Sequence, residues 1–124
     1  MSYVQSITGR RDGGRLRLGL KGSFDLVSGC KSCEVVDLSV WGARLRMNIP
    51  PRAGVWGVLV VNELDVFGRV VWRRERLCGV NFDEPISNEQ LLDFRIRGEQ
   101  LYEEQLARER NAPAEYARTW VEGG

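Results

Sequence analysis

Apolar residues in this chain recur at every second position, over runs that turn-forming residues cut short. Leu16, Leu18 and Leu20 alternate with Arg17, Gly19 and Lys21, and Ala43, Leu45 and Met47 alternate with Arg44 and Arg46. A period of two is that of a strand with one face buried. The run at 33–38 is rich in β-branched side chains, and further runs at 55–61, 66–73 and 78–82 have the same character. Gly22-Ser23 reads as a bend or bulge before the first strand continues from Phe24 to Val27. Turns are expected at Ser28-Gly29, at 37–42, around Asn62-Glu63-Leu64-Asp65 and at Arg73-Arg74-Glu75-Arg76, with a break at Pro50-Pro51-Arg52-Ala53-Gly54. The 73–76 turn reads as a solvated loop or as an accessory phosphate contact. About six short strands so closely spaced favour a small closed barrel. The expected fold class is therefore mainly β: a six-stranded antiparallel β-barrel, followed by a C-terminal α-helix.

The helix is signalled at Pro85, where the period changes. Ser87 can cap, Gln90 completes a capping box, and Ile86 can staple onto Leu91. Leu91, Phe94, Leu101, Tyr102 and Leu106 form one apolar face, widened by Leu92 and Ile96. The spacing predicts a helix over 87–110 that stops before Pro113. Its first half is expected to pack on the barrel. Its more polar second half is open to solvent or to a partner. Tyr116 and Trp120, four residues apart, fit one more helical turn docking back. The chain thus divides into a flexible basic arm at 1–15, a barrel at 16–84, and a helix and tail at 85–124, all in one domain of 124 residues.

No apolar run approaches the roughly 18 residues that cross a bilayer, and no signal-like segment opens the chain. A cytoplasmic protein without membrane insertion is expected. Net charge is +1, but it is unevenly spread. Residues 1–23 hold Arg10, Arg11, Arg15, Arg17 and Lys21 against Asp12, whereas residues 84–124 hold nine acids against five arginines. A broad basic face for DNA is not indicated. A small anionic ligand at the N-terminal end is. Trp56, Phe67 and Trp72 would suit a small-barrel nucleic-acid binder if they lay among basic residues. Their apolar strands instead suggest core or edge packing.

Cys30-Lys31-Ser32-Cys33 has the spacing of a zinc or redox pair. A zinc site needs four ligands, and only Cys78 remains. A thioredoxin-like site needs a helix after its first cysteine, where a strand is expected here. Cys33 and Cys78 read more simply as small buried residues, and no metal or cofactor is expected. With no histidine in the chain and no base beside Ser39, no catalytic constellation appears, and the chain is not expected to be an enzyme.

Asp37-Leu38-Ser39-Val40-Trp41-Gly42, between two strands, is first of all a turn. Asp and Ser accept from nearby backbone N–H groups, and Gly takes angles a Cβ forbids. Together with Arg11-Asp12-Gly13-Gly14-Arg15 upstream, it resembles the PilZ domain family, bacterial receptors for the second messenger cyclic di-GMP. The family pattern is RxxxR, a first strand, then [D/N]xSxxG. The strands around Phe67–Trp72 and Leu77–Phe82 also look like the family's, so the resemblance covers about residues 10–84. It implies that Arg11 and Arg15, with Arg10 as a substitute, take the phosphates and guanine edges of cyclic di-GMP. Asp37 and Ser39 would hold a guanine, and Gly42 would let ligand and backbone approach. An Arg fork suits both guanine N7/O6 and phosphate. Trp41 lies outside the motif and either stacks on a base or packs on the arm or helix. The implied function is a receptor or adaptor whose arm changes conformation on binding and which signals, as monomer or dimer, through an unidentified effector protein. The alternative is a degenerate module that binds proteins and no nucleotide, a reading to which Asp12-Gly13-Gly14 lends weight. An anion there faces an anionic ligand, and two glycines raise the cost of ordering the arm.

Overall fold

The computed structural model describes residues 15–110; Arg10, Arg11, Tyr116 and Trp120 lie outside them. Six strands form a closed antiparallel barrel: β1 (Leu16–Leu26), β2 (Gly29–Leu38), β3 (Gly42–Arg46), β4 (Trp56–Val61), β5 (Leu64–Arg74) and β6 (Leu77–Phe82). Their order around the barrel is β1-β2-β3-β6-β5-β4. Strand direction follows from that order. The β2–β3 turn, the β4–β5 turn and the start of β1 share one end, and the other three connections share the opposite end.

The alternation seen in the sequence sorts inside from outside. Leu20, Phe24, Val35, Leu45, Leu59, Val61, Val70 and Val80 are buried within the barrel. Burying such side chains is worth about 1.5–3 kcal/mol each before entropy is counted. β1 is longer than its alternation suggests. It runs straight through Gly22-Ser23, which pair regularly with Cys33 and Ser32, and its irregularity lies instead between Arg17 and Leu20. Gly19, with φ 74°, takes that bulge. Gly22 has a different reason to lack a side chain, since a Cβ there would overlap the Val60 carbonyl of β4. The β4–β5 hairpin is also tighter than expected, because Leu64 and Asp65 already pair with Val61 and Val60. Asn62 with φ 54° begins the turn, and asparagine tolerates that region better than most residues.

Trp56, Phe67 and Trp72 are not core residues; they lie on the outer face, 42, 48 and 39% exposed. Their register explains it. Trp56 and Phe67 sit opposite Arg69 and Val58, on the face away from the buried Leu59 and Val70. Trp56 stacks on Phe67 at 4.8 Å between ring centres, with the Arg69 guanidinium 5.6 Å over the indole.

The helix α1 (Asn88–Arg110) begins as predicted. The Ser87 hydroxyl accepts from the Gln90 N–H at 3.0 Å, and the Gln90 side chain accepts from the Ser87 N–H at 2.9 Å. Ser87→Ala removes one half of this box and is expected to lower stability by about 1 kcal/mol. Urea unfolding should then show a lower midpoint with an unchanged slope. Leu91, Phe94, Gly98 and Leu101 form the buried stripe, whereas Leu92, Ile96 and Tyr102 are exposed, so the apolar face is narrower than the sequence suggests. Gly98 is what brings α1 close to β1: a Cβ there would already crowd Leu18. The second half of the helix is anchored too. Gln105 accepts from the Lys21 N–H at 2.8 Å and donates to the Lys21 carbonyl at 3.0 Å, and Lys21 pairs with Glu109.

Candidate functional site

Asp37 owes its place to a bulge. Val35 pairs with Leu45, but the next matched pair is Asp37 with Arg44, so Val36 is an extra residue in β2. Without that insertion Asp37 would follow Val35 into the core. With it, Asp37 joins Arg44 on the outer face while Leu38 turns inward opposite Ala43. The carboxylate is nonetheless fully buried, because arginines cover it. Arg15 Nη1 donates to Asp37 Oδ1 at 2.6 Å. Arg44 donates to Oδ2 through Nε at 2.9 Å and through Nη2 at 2.5 Å. Such charge-assisted bonds are the strong ones. Both arginine side chains remain partly open to solvent, at 48 and 38%. The bond to Asp37, with its negative charge, raises the Arg44 pKa further, so this arginine is a fixed cation.

The turn that follows is closed by Ser39. Its N–H donates to the Gly42 carbonyl at 2.8 Å, and its hydroxyl accepts from the Gly42 and Trp41 N–H groups at 3.2 and 3.3 Å. Gly42 touches β6: a Cβ would overlap the Val80 carbonyl oxygen. The end of β6 is tied to the same turn, through Phe82 N–H to the Trp41 carbonyl at 2.8 Å and Ile86 N–H to the Val40 carbonyl at 2.8 Å. Trp41 itself stands 63% exposed.

Three of the residues singled out in the sequence, Asp37, Ser39 and Gly42, therefore lie on one rigid turn, with Arg15 bound to it. Arg10 and Arg11 lie outside the described residues. Two further residues join this face. Register runs from Arg17 on β1 to Asp37 on β2, Arg44 on β3 and Gly79 on β6, and Trp72 on β5 is also matched to Gly79. A Cβ on Gly79 would overlap the Trp72 indole, so that ring lies against β6 in the next place in the row, about one strand spacing from Arg44. Arg44 and Trp72 were not legible as site residues. Each reaches this row by pairing across a bulge, which strand period alone does not reveal. The face offers two arginines bound to one carboxylate, with Arg17 opposite it on β1, beside a half-exposed aromatic ring. Its net positive charge and flat ring suit an anion that carries a planar base.

The cysteines are not part of this face. Cys33 and Cys78 are buried and Cys30 is exposed. Burial holds the Cys33 thiol at about 12 and the Cys78 thiol at about 11, and a hydrogen bond from Cys30 to Asp25 raises the Cys30 pKa. All three are therefore protonated thiols at neutral pH, poor as nucleophiles. Among the described residues, no helix is long and apolar enough to cross a membrane.

No curated protein matches the chain significantly. The family model for the PilZ domain matches residues 9–97, from the basic arm through the barrel and into the first half of α1. With the barrel, the turn and the pattern that spans them in agreement, the chain belongs to the PilZ domain family.

Proposed function

We propose that this chain is a cytoplasmic cyclic di-GMP receptor that passes the signal to a partner protein. The observation that carries the reading is the Asp37-anchored pair of Arg15 and Arg44 on the outer face, next to Trp72. Asp37 fixes the position of two cations without cancelling both charges. An anion arriving there meets guanidinium groups that have already lost much of their rotamer freedom, which reduces the entropic cost of binding. Arg11 and Arg10, preceding Arg15, close over the ligand from the arm, and the ring of Trp72 offers a guanine a stacking surface. Asp37 acts first as an anchor. Its contact with a guanine N–H uses a lone pair that the arginines leave free, or follows their transfer to phosphate.

The route outward is β1. Arg15 enters directly into Leu16 and Leu18, and Leu18 packs against α1 at Gly98. Ordering the arm thus acts on the strand to which the helix is docked, and the surface beside α1 is where a partner reads the change. Calorimetric titration of the purified chain with cyclic di-GMP tests the proposal. Saturable binding at roughly micromolar ligand is expected. Absence of heat and of any chemical-shift change at millimolar ligand would transfer the chain to the other reading, a protein-interaction module that binds no nucleotide.

A further inference from the structure

The end of the barrel away from the Asp37–Gly42 turn belongs to no part of that site. The β1–β2, β3–β4 and β5–β6 connections meet there. Their apolar residues do not turn inward. Val27 is fully exposed, Ile49 is 68% exposed and Trp56 is 42% exposed. They surround a shallow depression of about 580 Å³, whose lining also includes Lys31, Arg52 and Arg73 and, among the described residues, no carboxylate. Arg73 is held in position by donating to the Pro50 carbonyl at 3.1 Å. The β5–β6 turn adds Arg74 and Arg76 against Glu75.

Apolar side chains standing on separate loop tips call for an occupant that reaches all of them together. A peptide would need walls to lie between, and this depression is shallow with its apolar groups on the rim. A flat surface meets every tip. The chemistry selects among flat surfaces. Aliphatic tips, an indole at the rim and a ring of cations match the layered profile of an anionic bilayer, where acyl chains begin below the headgroup phosphates. α1 starts by the β2–β3 turn at the opposite end and packs on β1, and its six acids outnumber its four arginines, so an anionic surface would not draw it in. We propose that this end of the barrel is a peripheral docking face for an anionic lipid bilayer. Val27 and Ile49 dip into the headgroup layer, and Lys31, Arg52 and Arg73 meet its phosphates. The chain stays on one side of the membrane, with the Asp37 face and α1 directed away from it.

Flotation of the purified chain with vesicles tests this, using neutral phosphatidylcholine alone and phosphatidylcholine with about one third phosphatidylglycerol. The wild type is expected to float with the anionic vesicles only, to be released by high salt, and to shift its tryptophan emission to the blue when bound. Val27→Asp with Ile49→Asp should lower partitioning about tenfold or more, and Lys31→Glu with Arg52→Glu should abolish the preference for anionic lipid. Val27, Ile49 and Arg52 are exposed and Lys31 is half-buried, so thermal unfolding serves as the control for folding. The proposal is overturned if the wild type ignores anionic vesicles, binds neutral ones equally, or floats unchanged with the double aspartate variant. Self-association that depends on Ile49, without vesicle binding, would assign the face to a second copy of the chain and overturn the lipid proposal as well.

Discussion

The Arg11→Ala, Arg15→Ala double variant is expected to bind cyclic di-GMP more weakly than the wild type by a hundredfold or more. Each arginine supplies a charge-assisted contact of about 1.5–3 kcal/mol, and the proposed closure of the arm uses both. Arg15 has a second role, since it donates to Asp37 across the start of β1. Its removal leaves Asp37 paired with Arg44, still through two hydrogen bonds. Oδ1 loses its Arg15 bond but gains the solvent that Arg15 kept out, so the cost to the fold should be about 1 kcal/mol. Affinity and stability therefore separate in this variant. Calorimetry should show the affinity loss while urea unfolding shows only this smaller loss of stability. Equal binding by both proteins would remove the arginine clamp from the mechanism, even with the ligand correctly named.

Gly42→Ala should be the most disruptive single methyl addition at the turn. The new Cβ would sit on the Val80 carbonyl oxygen of β6, a backbone atom that cannot rotate out of the way. Either β3 and β6 separate or the turn rearranges. The pairing at stake runs from Gly42–Asn81 to Arg46–Leu77, the contact that closes the barrel between its third and sixth strands. Overpacking of this kind costs about 1–3 kcal/mol and occasionally more. The upper part of that range is expected here, with a matching fall in the thermal midpoint. Where the turn rearranges, the N–H of residue 42 moves away from the Ser39 hydroxyl that accepts from it, so ligand affinity should fall as well. Unchanged stability and unchanged strand-pair amide protection would show that the barrel relaxes at no cost, against expectation.

The barrel and the helix were legible because their signals are local. Alternation in Leu16–Leu20 and Ala43–Met47 fixes which side chains face inward wherever a strand is regular. Ser87 and Gln90 mark a helix start through atoms three residues apart. The turn was legible for the same reason, since Ser39 and Gly42 close it through neighbouring backbone groups. The resemblance of the arm and turn to a family pattern then joined two stretches that no local rule connects.

What the sequence by itself determined, then, is the number of strands, the helix start, and the Asp37–Gly42 turn. Tertiary structure decided which side chains share the turn's face. Bulges at Val36 and at Val71 each shift the alternation by one residue, and only pairing with a partner strand shows where the extra residue falls. That is how Asp37 leaves the core, how Arg44 becomes its partner, and how Trp72 comes to lie over Gly79. Trp56 and Phe67 face outward without a bulge: β4 and β5 pair regularly there, and their place in the alternation with the buried Leu59 and Val70 decides it, not their hydropathy. Leu92 and Ile96 are exposed because Gly98 seats α1 closely on β1 along a single stripe, a choice made by packing between elements and carried by no residue alone.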